Sequence, residues 1–226
     1  MIKLSPILLA IFIGLVFYWF SAWRLKRTLD EQSHKLDDPT IGALTARLAR
    51  TLDLPHIPVH VYEIDVVNGL AAPDGRVFIT RGFLQKYKLG EVSAEEIASV
   101  IAHELGHVAL GHSRRRMFDF SAQNAIRTLL AMVLSRFIPF IGVYIANGLT
   151  QLIAARLSRS DEYEADAYAA ALLTKAGLTV APQISLFVKL DAMTPKGQPL
   201  AWLMSHPKTP DRIQAIRKLE EGWSQP

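Results

Sequence analysis

The sequence predicts an α+β fold, a mostly helical domain with a small β-sheet, preceded by an N-terminal transmembrane helix. Residues 4–23 form one long apolar run without a charged side chain. Two short segments between residues 58 and 80 have the composition of strands, and an Asn68-Gly69 turn signal lies between them. Elsewhere the local signals predict helices, as over residues 40–52, where apolar residues recur at helical spacing. Few strands among many helices therefore indicate an α+β class.

The apolar run predicts an uncleaved membrane anchor over residues 1–27. As a helix, residues 4–23 would be about 30 Å long, which is the thickness of the hydrocarbon core of a bilayer. Tyr18, Trp19 and Trp23 collect at its far end, where an aromatic belt would lie. A cleaved signal peptide is the alternative, but it normally has a shorter apolar core followed by small residues. Here bulky aromatic residues lead directly into a basic cluster.

Basic residues flank this run unequally, which predicts an orientation. Lys3 precedes it, whereas Arg24, Lys26 and Arg27 follow it. The positive-inside rule then puts the bulk of the chain in the cytoplasm, attached to the inner (cytoplasmic) membrane by one span or more. Membrane lipid is therefore an expected partner.

Composition narrows the kinds of site that the chain can form. The chain has no cysteine, which excludes thiolate zinc ligands and disulfides and fits a reducing compartment. Much of the formal charge of +4 resides in two basic clusters, residues 24–27 and 114–116. Most such clusters are solvated surface, and no recognition motif or interleaved aromatic residues accompany them. We therefore expect no nucleic-acid partner.

Residues 28–226 are interpreted as one domain, whose elements follow from local signals. The polar stretch before Pro39 is interpreted as a helix end or a linker. The spacing then predicts a helix over 40–52, strands over 58–67 and 76–80, and a helix over about 81–88. Ser93, followed by Glu95 and Glu96, is typical of the N-cap of a long helix. That helix contains the stretch 101-IAHELGHVALGH-112.

Residues 121–157 are strongly apolar but interrupted, and their interpretation stays open. Arg136, Pro139 and Asn147 break the run, so neither half is a clean twenty-residue span. Buried helices, a hairpin that dips into the membrane face, and a second membrane span all fit this pattern.

The motif 103-HELGH-107 suggests a metal site. His103 and His107 lie four residues apart, so on a helix their rings project from one face and can both bind one zinc ion. Glu104 lies beside that face, where its carboxylate can act on a water as a general base. The alternative is a helix whose histidines make ordinary hydrogen bonds, which a pattern with three fixed positions does not exclude.

A catalytic zinc needs a third protein ligand and an open position. His112 fails the metzincin spacing and is interpreted as a helix-end or packing histidine. Glu162 and Asp166 lie one turn apart on the small apolar face of a predicted helix, where unpaired carboxylates are costly. Glu162 as third ligand, with Asp166 hydrogen-bonded to a ligand histidine, satisfies both acids. Salt bridges to Arg156 or Arg159 are the alternative.

At this point the sequence resembles the membrane-associated zinc metalloproteases of the HtpX and CAAX prenyl protease 1 type, which are gluzincins with an HExxH motif. The resemblance rests on four stretches in order, 68-NGLAAPDGRVFITRGFL-84, 103-HELGH-107, 158-SRSDEYEAD-166 and 205-SHPKTPDRI-213. It implies a zincin-like domain with one zinc ion per chain, held by His103, His107 and Glu162. It also implies that Glu104 is the catalytic base and that Asp166 supports the site.

The resemblance also places two C-terminal residues, His206 and Arg212, along the site. An imidazole donor at His206 could stabilise the oxyanion formed when water attacks a peptide carbonyl, while a capping or surface histidine is the alternative. Arg212 could pair with a carboxylate, Glu162 or Asp166, or bind substrate. Strand 76–80 is expected at the sheet edge beside the cleft, where substrate backbone can add as another strand. Asn68 is then expected to bind the substrate backbone, or else to be a simple turn residue.

These observations predict a membrane-anchored, zinc-dependent endopeptidase. The resemblance implies polypeptide substrates that are misfolded or membrane-associated, and hence a role in protein quality control. One alternative is a non-catalytic, membrane-anchored interaction module that binds zinc structurally through four ligands. The other is a basic membrane-surface protein whose histidines are incidental.

Overall fold

The computed structural model describes residues 4–72, 74–112, 142–194 and 210–224. Between these ranges it describes single positions, namely 131, 134, 136–138, 202, 203 and 206. The described residues form several helices and one small four-stranded sheet. The predicted α+β class, mostly helical with a small sheet, is therefore confirmed.

The first helix, α1, extends over Leu4–Glu31 and leads into strand β1, Ser33–Lys35. By the combined criteria of length and hydropathy, no helix in the described part of the chain qualifies as a membrane span. The transmembrane component of the fold prediction is thus unsupported. Aromatic and aliphatic side chains of α1 nevertheless lie exposed, namely Phe12, Leu15, Val16, Trp19, Phe20 and Trp23.

The sheet contains β1 and three further strands, β2 (Val59–Tyr62), β3 (Gly69–Ala71) and β4 (Val77–Thr80), in the order β1-β2-β4-β3. Strands β2 and β4 are parallel, and the two outer pairs are antiparallel. The predicted strand 76–80 is therefore present but was placed wrongly at the edge, because β3 pairs with its outer side. Gly69, predicted as a turn residue, begins that edge strand.

Six further helices follow in the described part of the chain, most of them where the sequence predicts a helix; the helix over Ala181–Ala192 was not predicted. They are α2 (Pro39–Thr51), α3 (Arg81–Lys88), α4 (Ala94–Ala109), α5 (Gly142–Lys175), α6 (Ala181–Ala192) and α7 (Pro210–Ser224). Helix α4 begins with a capping box, in which the side chains of Ser93 and Glu96 each accept from the other residue's backbone N–H. Of the apolar stretch 121–157, residues 142–157 belong to α5 and residues 121–130 lie outside the described residues. Its membrane interpretation stays a prediction.

Helix α4 is the centre of the core and carries the HELGH motif. It packs against the sheet, α2, α5 and α6, so that every side chain from Ile97 to His107 is buried. Its first turn is tied to α6, because Glu96 accepts hydrogen bonds from Ser185 Oγ at 2.7 Å and Lys189 Nζ at 2.9 Å. The first turn of the site helix is therefore anchored to α6, and the rest of the helix is packed in the core.

Candidate metal centre

His103 and His107 lie on the face of α4 that is turned toward α5. They are 3 % and 5 % exposed, and their Nε2 atoms lie 3.1 Å apart. Two neutral imidazoles cannot both present a lone pair at this distance without a proton or a cation between them. The pair therefore has the geometry expected of two ligands of one ion.

Glu162 reaches the histidines from α5. Its Oε2 lies 3.4 Å from His103 Nε2, and its Oε1 lies 3.5 Å from His107 Nε2. The two helices approach closely at Gly106, where an added Cβ would lie 3.1 Å from both the Cα and the carbonyl oxygen of Ala165. A larger residue there would separate the helices, so glycine at this position allows a carboxylate on α5 to meet imidazoles on α4.

His206 joins the same group. Its Nδ1 lies 2.9 Å from Glu162 Oε2 and 3.3 Å from His103 Nε2, and its ring stacks on Trp202 with the centroids 4.3 Å apart. One ligand atom from each of four residues, namely His103, His107, Glu162 and His206, lies within 4.8 Å of the other three. The sequence suggested that His206 donates a hydrogen bond to the oxyanion. Its position among the possible metal ligands was not predicted.

The donor set fits a zinc ion. Zinc–nitrogen and zinc–oxygen bonds of about 2.0–2.1 Å at tetrahedral angles separate the ligand atoms by about 3.3 Å. Five distances between donor atoms of these residues range from 2.9 to 3.5 Å and so bracket that value. In addition, Glu104 is 2 % exposed and its Oε1 makes no hydrogen bond within the described part of the chain. This buried carboxylate oxygen faces the group, 3.4 Å from His206 Nε2.

The electrostatics of the site favour positive charge between the rings. Burial lowers the pKa of His103, but hydrogen bonds and charge from Asp166 and Glu162 outweigh burial and raise that pKa to about 9. Burial raises the pKa of Glu162, but His103 and His206 hold it far below its ordinary value. The negative surroundings that favour a proton on His103 also favour a divalent cation there.

Asp166 and Arg212 form a buried ion pair behind His103. The guanidinium donates to Asp166 from Nε at 2.6 Å and from Nη2 at 2.8 Å, and both residues are 2 % exposed. Asp166 Oδ1 lies 3.0 Å from Nδ1 of His103. Burial raises the pKa of Asp166, yet Arg212 and His103 hold it below its usual value. This carboxylate is therefore ionised and orients the imidazole so that Nε2 faces the donor group.

Two predicted substrate-binding residues make contacts within the protein. Arg212 is directed at Asp166 and also lies 3.3 Å from Glu162 Oε2, so the geometry favours the carboxylate-pairing alternative and gives no support to a substrate contact. Asn68 lies at the start of β3, and its Oδ1 accepts from the backbone N–H of Gly69 at 3.0 Å. Its side chain therefore shapes the beginning of the edge strand.

Residues 35–220 of the chain match the model of peptidase family M48. Metalloprotease LoiP of Escherichia coli K12 is 30 % identical over 157 residues, which are 70 % of this chain and 60 % of that protein. Metalloprotease YcaL of the same strain is 31 % identical over 180 residues, 78 % of this chain and 68 % of that protein. The chain thus spans about 60 % of the length of the first of these relatives.

The fold is also similar to the crystal structure of S. mikatae Ste24p. The TM-score is 0.52 at 18 % sequence identity, and the match covers 91 % of this chain and 57 % of that chain. At this identity the likeness concerns the fold alone. A third relative in sequence, the protease HtpX homolog of Salinibacter ruber, is 30 % identical over 72 % of this chain and 62 % of that protein.

Proposed function

This chain belongs to peptidase family M48, and from that membership we propose that it is a zinc-dependent endopeptidase. The observation that carries the proposal is the convergence of three imidazoles and Glu162 beside the buried Glu104. Bound zinc supplies a Lewis acid that polarises the scissile carbonyl and lowers the pKa of the attacking water. His103, His107 and Glu162 hold it, with Asp166 orienting His103.

Glu104 moves the proton in this mechanism. Its carboxylate takes a proton from the attacking water, whose oxygen forms a bond to the carbonyl carbon. As the carbon–nitrogen bond breaks, Glu104 delivers that proton to the leaving amine. Nε2 of His206 lies 3.4 Å from Oε1 of Glu104. When this nitrogen carries a proton, it donates a hydrogen bond to the oxyanion.

Glu104→Gln tests the general base. The variant keeps the shape of the side chain but cannot accept a proton, so we expect it to bind zinc at one ion per chain and to lose at least about a hundredfold in kcat. Cleavage of an unfolded protein such as casein is the assay, with metal analysis of the same sample. Glu95→Gln is the matched control, because Glu95 lies in the first turn of the same helix and is exposed. Normal cleavage by Glu104→Gln would contradict the mechanism.

The position of His206 favours a second candidate function, a non-catalytic module with a closed zinc site. Four protein ligands are typical of structural zinc, whereas catalysis needs one open corner. His206→Ala separates the two. A catalytic site keeps stoichiometric zinc through the other three ligands, whereas a structural site loses zinc affinity by orders of magnitude. In the catalytic proposal, the substrate occupies the fourth coordination position, where His206 lies in this structure.

We infer that substrate binds in extended form along β3. Asn68 and Ala72 bond β4, since the Asn68 carbonyl accepts from Thr80 N and Ala72 N donates to the Arg76 carbonyl. In an antiparallel pair the alternate residues, here Gly69 and Ala71, direct their backbone groups to the opposite side. The Gly69 N–H already donates to Asn68 Oδ1, so the substrate would bond the Gly69 carbonyl and the backbone groups of Ala71. Trp202 connects this edge to the donor group, because its backbone N–H donates to the Val67 carbonyl and its ring stacks on His206. Asn68 then determines where the bound substrate strand begins, because its side chain shapes the start of β3.

We also propose that α1 holds the chain at a membrane, with the catalytic domain in the cytoplasm and with misfolded or membrane-associated polypeptides as substrates of quality control. The uncharged run over 4–23 and the exposed aromatic residues of α1 support this location. Leu15→Glu combined with Trp19→Glu tests it, because both side chains are exposed and lie one turn apart. The double variant should leave the membrane fraction on flotation, and unchanged flotation would contradict the proposal.

A further inference from the structure

His112 is a buried histidine outside the donor group that contacts one of its members. Its side chain is 1 % exposed, and its Nδ1 lies 2.8 Å from Nδ1 of His107. On its other side, Nε2 lies 3.3 Å from Glu164 Oε2 and 3.9 Å from Asp161 Oδ1. The proposed peptide hydrolysis does not itself require this ring.

A left-handed glycine brings His112 to this position. Helix α4 ends at Ala109, and Gly111 follows with φ of +67°, a conformation that favours glycine at the end of a helix. If the helix continued, residue 112 would point roughly 140° around the axis from residue 107 at 3.6 residues per turn. The chain instead turns back, and the ring of His112 packs against the ring of His107 with the centroids 4.9 Å apart.

The hydrogen-bonding capacity of the two rings assigns each nitrogen one role. A neutral His107 that offers the Nε2 lone pair to a metal must carry its proton on Nδ1. That N–H donates to Nδ1 of His112, which must then carry its own proton on Nε2. The second N–H points at the carboxylate of Glu164. We propose that His112 is a positioning residue, which fixes the tautomer and ring orientation of His107 through the relay Glu164–His112–His107.

The two ligand histidines are thus oriented by different groups. His103 Nδ1 lies 3.0 Å from a carboxylate oxygen of Asp166, which is buried with Arg212, whereas His107 Nδ1 lies 2.8 Å from a second imidazole. The relay ends at Glu164, whose side chain is 43 % exposed. The orientation of His107 therefore depends on a hydrogen-bonded chain from the protein surface to the donor group. This inference rests on the proposed zinc site.

Zinc affinity of the full chain, measured by competition with a chromogenic chelator, tests the relay. His112→Phe keeps an aromatic ring of similar size but removes the acceptor, so zinc should bind about ten- to a hundredfold more weakly, as when other outer hydrogen-bond partners of zinc ligands are lost. His112→Asn places an amide oxygen near the position of Nδ1 and should retain affinity within about threefold. His56→Phe, at an exposed histidine, is the matched control and should bind like the unaltered chain.

The absorption spectrum of the Co²⁺-loaded chain gives a second readout. Its visible bands depend on ligand geometry and should change in His112→Phe but not in His112→Asn or His56→Phe. Circular dichroism of each metal-free variant checks its fold. Equal zinc affinity for His112→Phe and the unaltered chain overturns the inference while leaving the zinc site intact. The inference is also overturned if both His112 variants are equally weak or both unfold. An unaltered chain that binds no zinc overturns the zinc site and the relay together.

Discussion

Breaking the buried pair between Arg212 and Asp166 should cost the fold far more than breaking a surface pair of the same geometry, because it leaves a buried charge uncompensated. Arg212→Met removes the charge but keeps most of the aliphatic stem. It leaves the carboxylates of Asp166 and Glu162 buried without their cation, since Arg212 lies 2.6 Å from the first and 3.3 Å from the second. Loss of one partner of a buried pair costs about 3–5 kcal/mol of unfolding free energy.

The chain contains a matched control on its surface. Arg81 Nη2 lies 2.6 Å from Asp65 Oδ1, and its Nε lies 3.1 Å from Glu63 Oε2. This is again one arginine between an aspartate and a glutamate, but Arg81 is 49 % exposed. Because water screens the charges, Arg81→Met should cost no more than about 1 kcal/mol.

Urea unfolding of metal-free protein, followed by circular dichroism, measures both variants without the added stability of bound zinc. For a chain of this size, the loss in Arg212→Met corresponds to a melting temperature lower by about 6–20 °C. Adding Asp166→Asn to Arg212→Met should recover about 1–3 kcal/mol, because the amide leaves less uncompensated charge. The reasoning is refuted if Arg212→Met costs no more than Arg81→Met.

Three further predictions follow from the same geometry. Gly106→Val should lower the unfolding free energy by about 1–3 kcal/mol and weaken zinc binding, because the valine side chain would press on Ala165. Gly42→Ala is the control, since the space around Gly42 is open, and it should not destabilise the chain. Burial and the charge of Arg76 lower the pKa of His60 below its ordinary value of 6.5 in the folded chain. As the pH falls, His60 therefore binds a proton in the unfolded chain before it does so in the folded chain, and stability is lost. The unfolding free energy of His60→Gln should therefore fall less between about pH 7 and pH 5 than that of the unaltered chain, and parallel urea profiles would contradict this. Saturating zinc, at about a thousand times its dissociation constant, should add about 4 kcal/mol to stability, and a chelator should remove it in a thermal melt.

Local signals predicted most of the helices and two of the four strands. The N-cap signal at Ser93 acts within one turn, so it is visible in a short stretch of sequence. Strands β1 and β3 have three residues each, too few for a periodic pattern. The central position of β4 depends on which strands pair with it, and the residues 77–80 alone do not indicate their partners.

The candidate site was predictable where it follows a helical period. His103, His107 and Glu162 were predicted as ligands, and the structure brings them together. His206 is 44 residues from Glu162 along the chain and lies outside any helical repeat, so its place in the donor group depends on tertiary packing against Trp202. His112 failed a spacing test for direct ligands. The signal that would have found it is Gly111, whose left-handed backbone turns the chain back at the end of α4.

The close approach of α4 and α5 at Gly106 has a consequence for how the protein matures. Neither helix alone holds more than two of the donor atoms, so a folding intermediate with formed but undocked helices presents only a weak two-histidine site. Tight metal uptake should then occur late, after the helices have docked, and not during collapse of the chain.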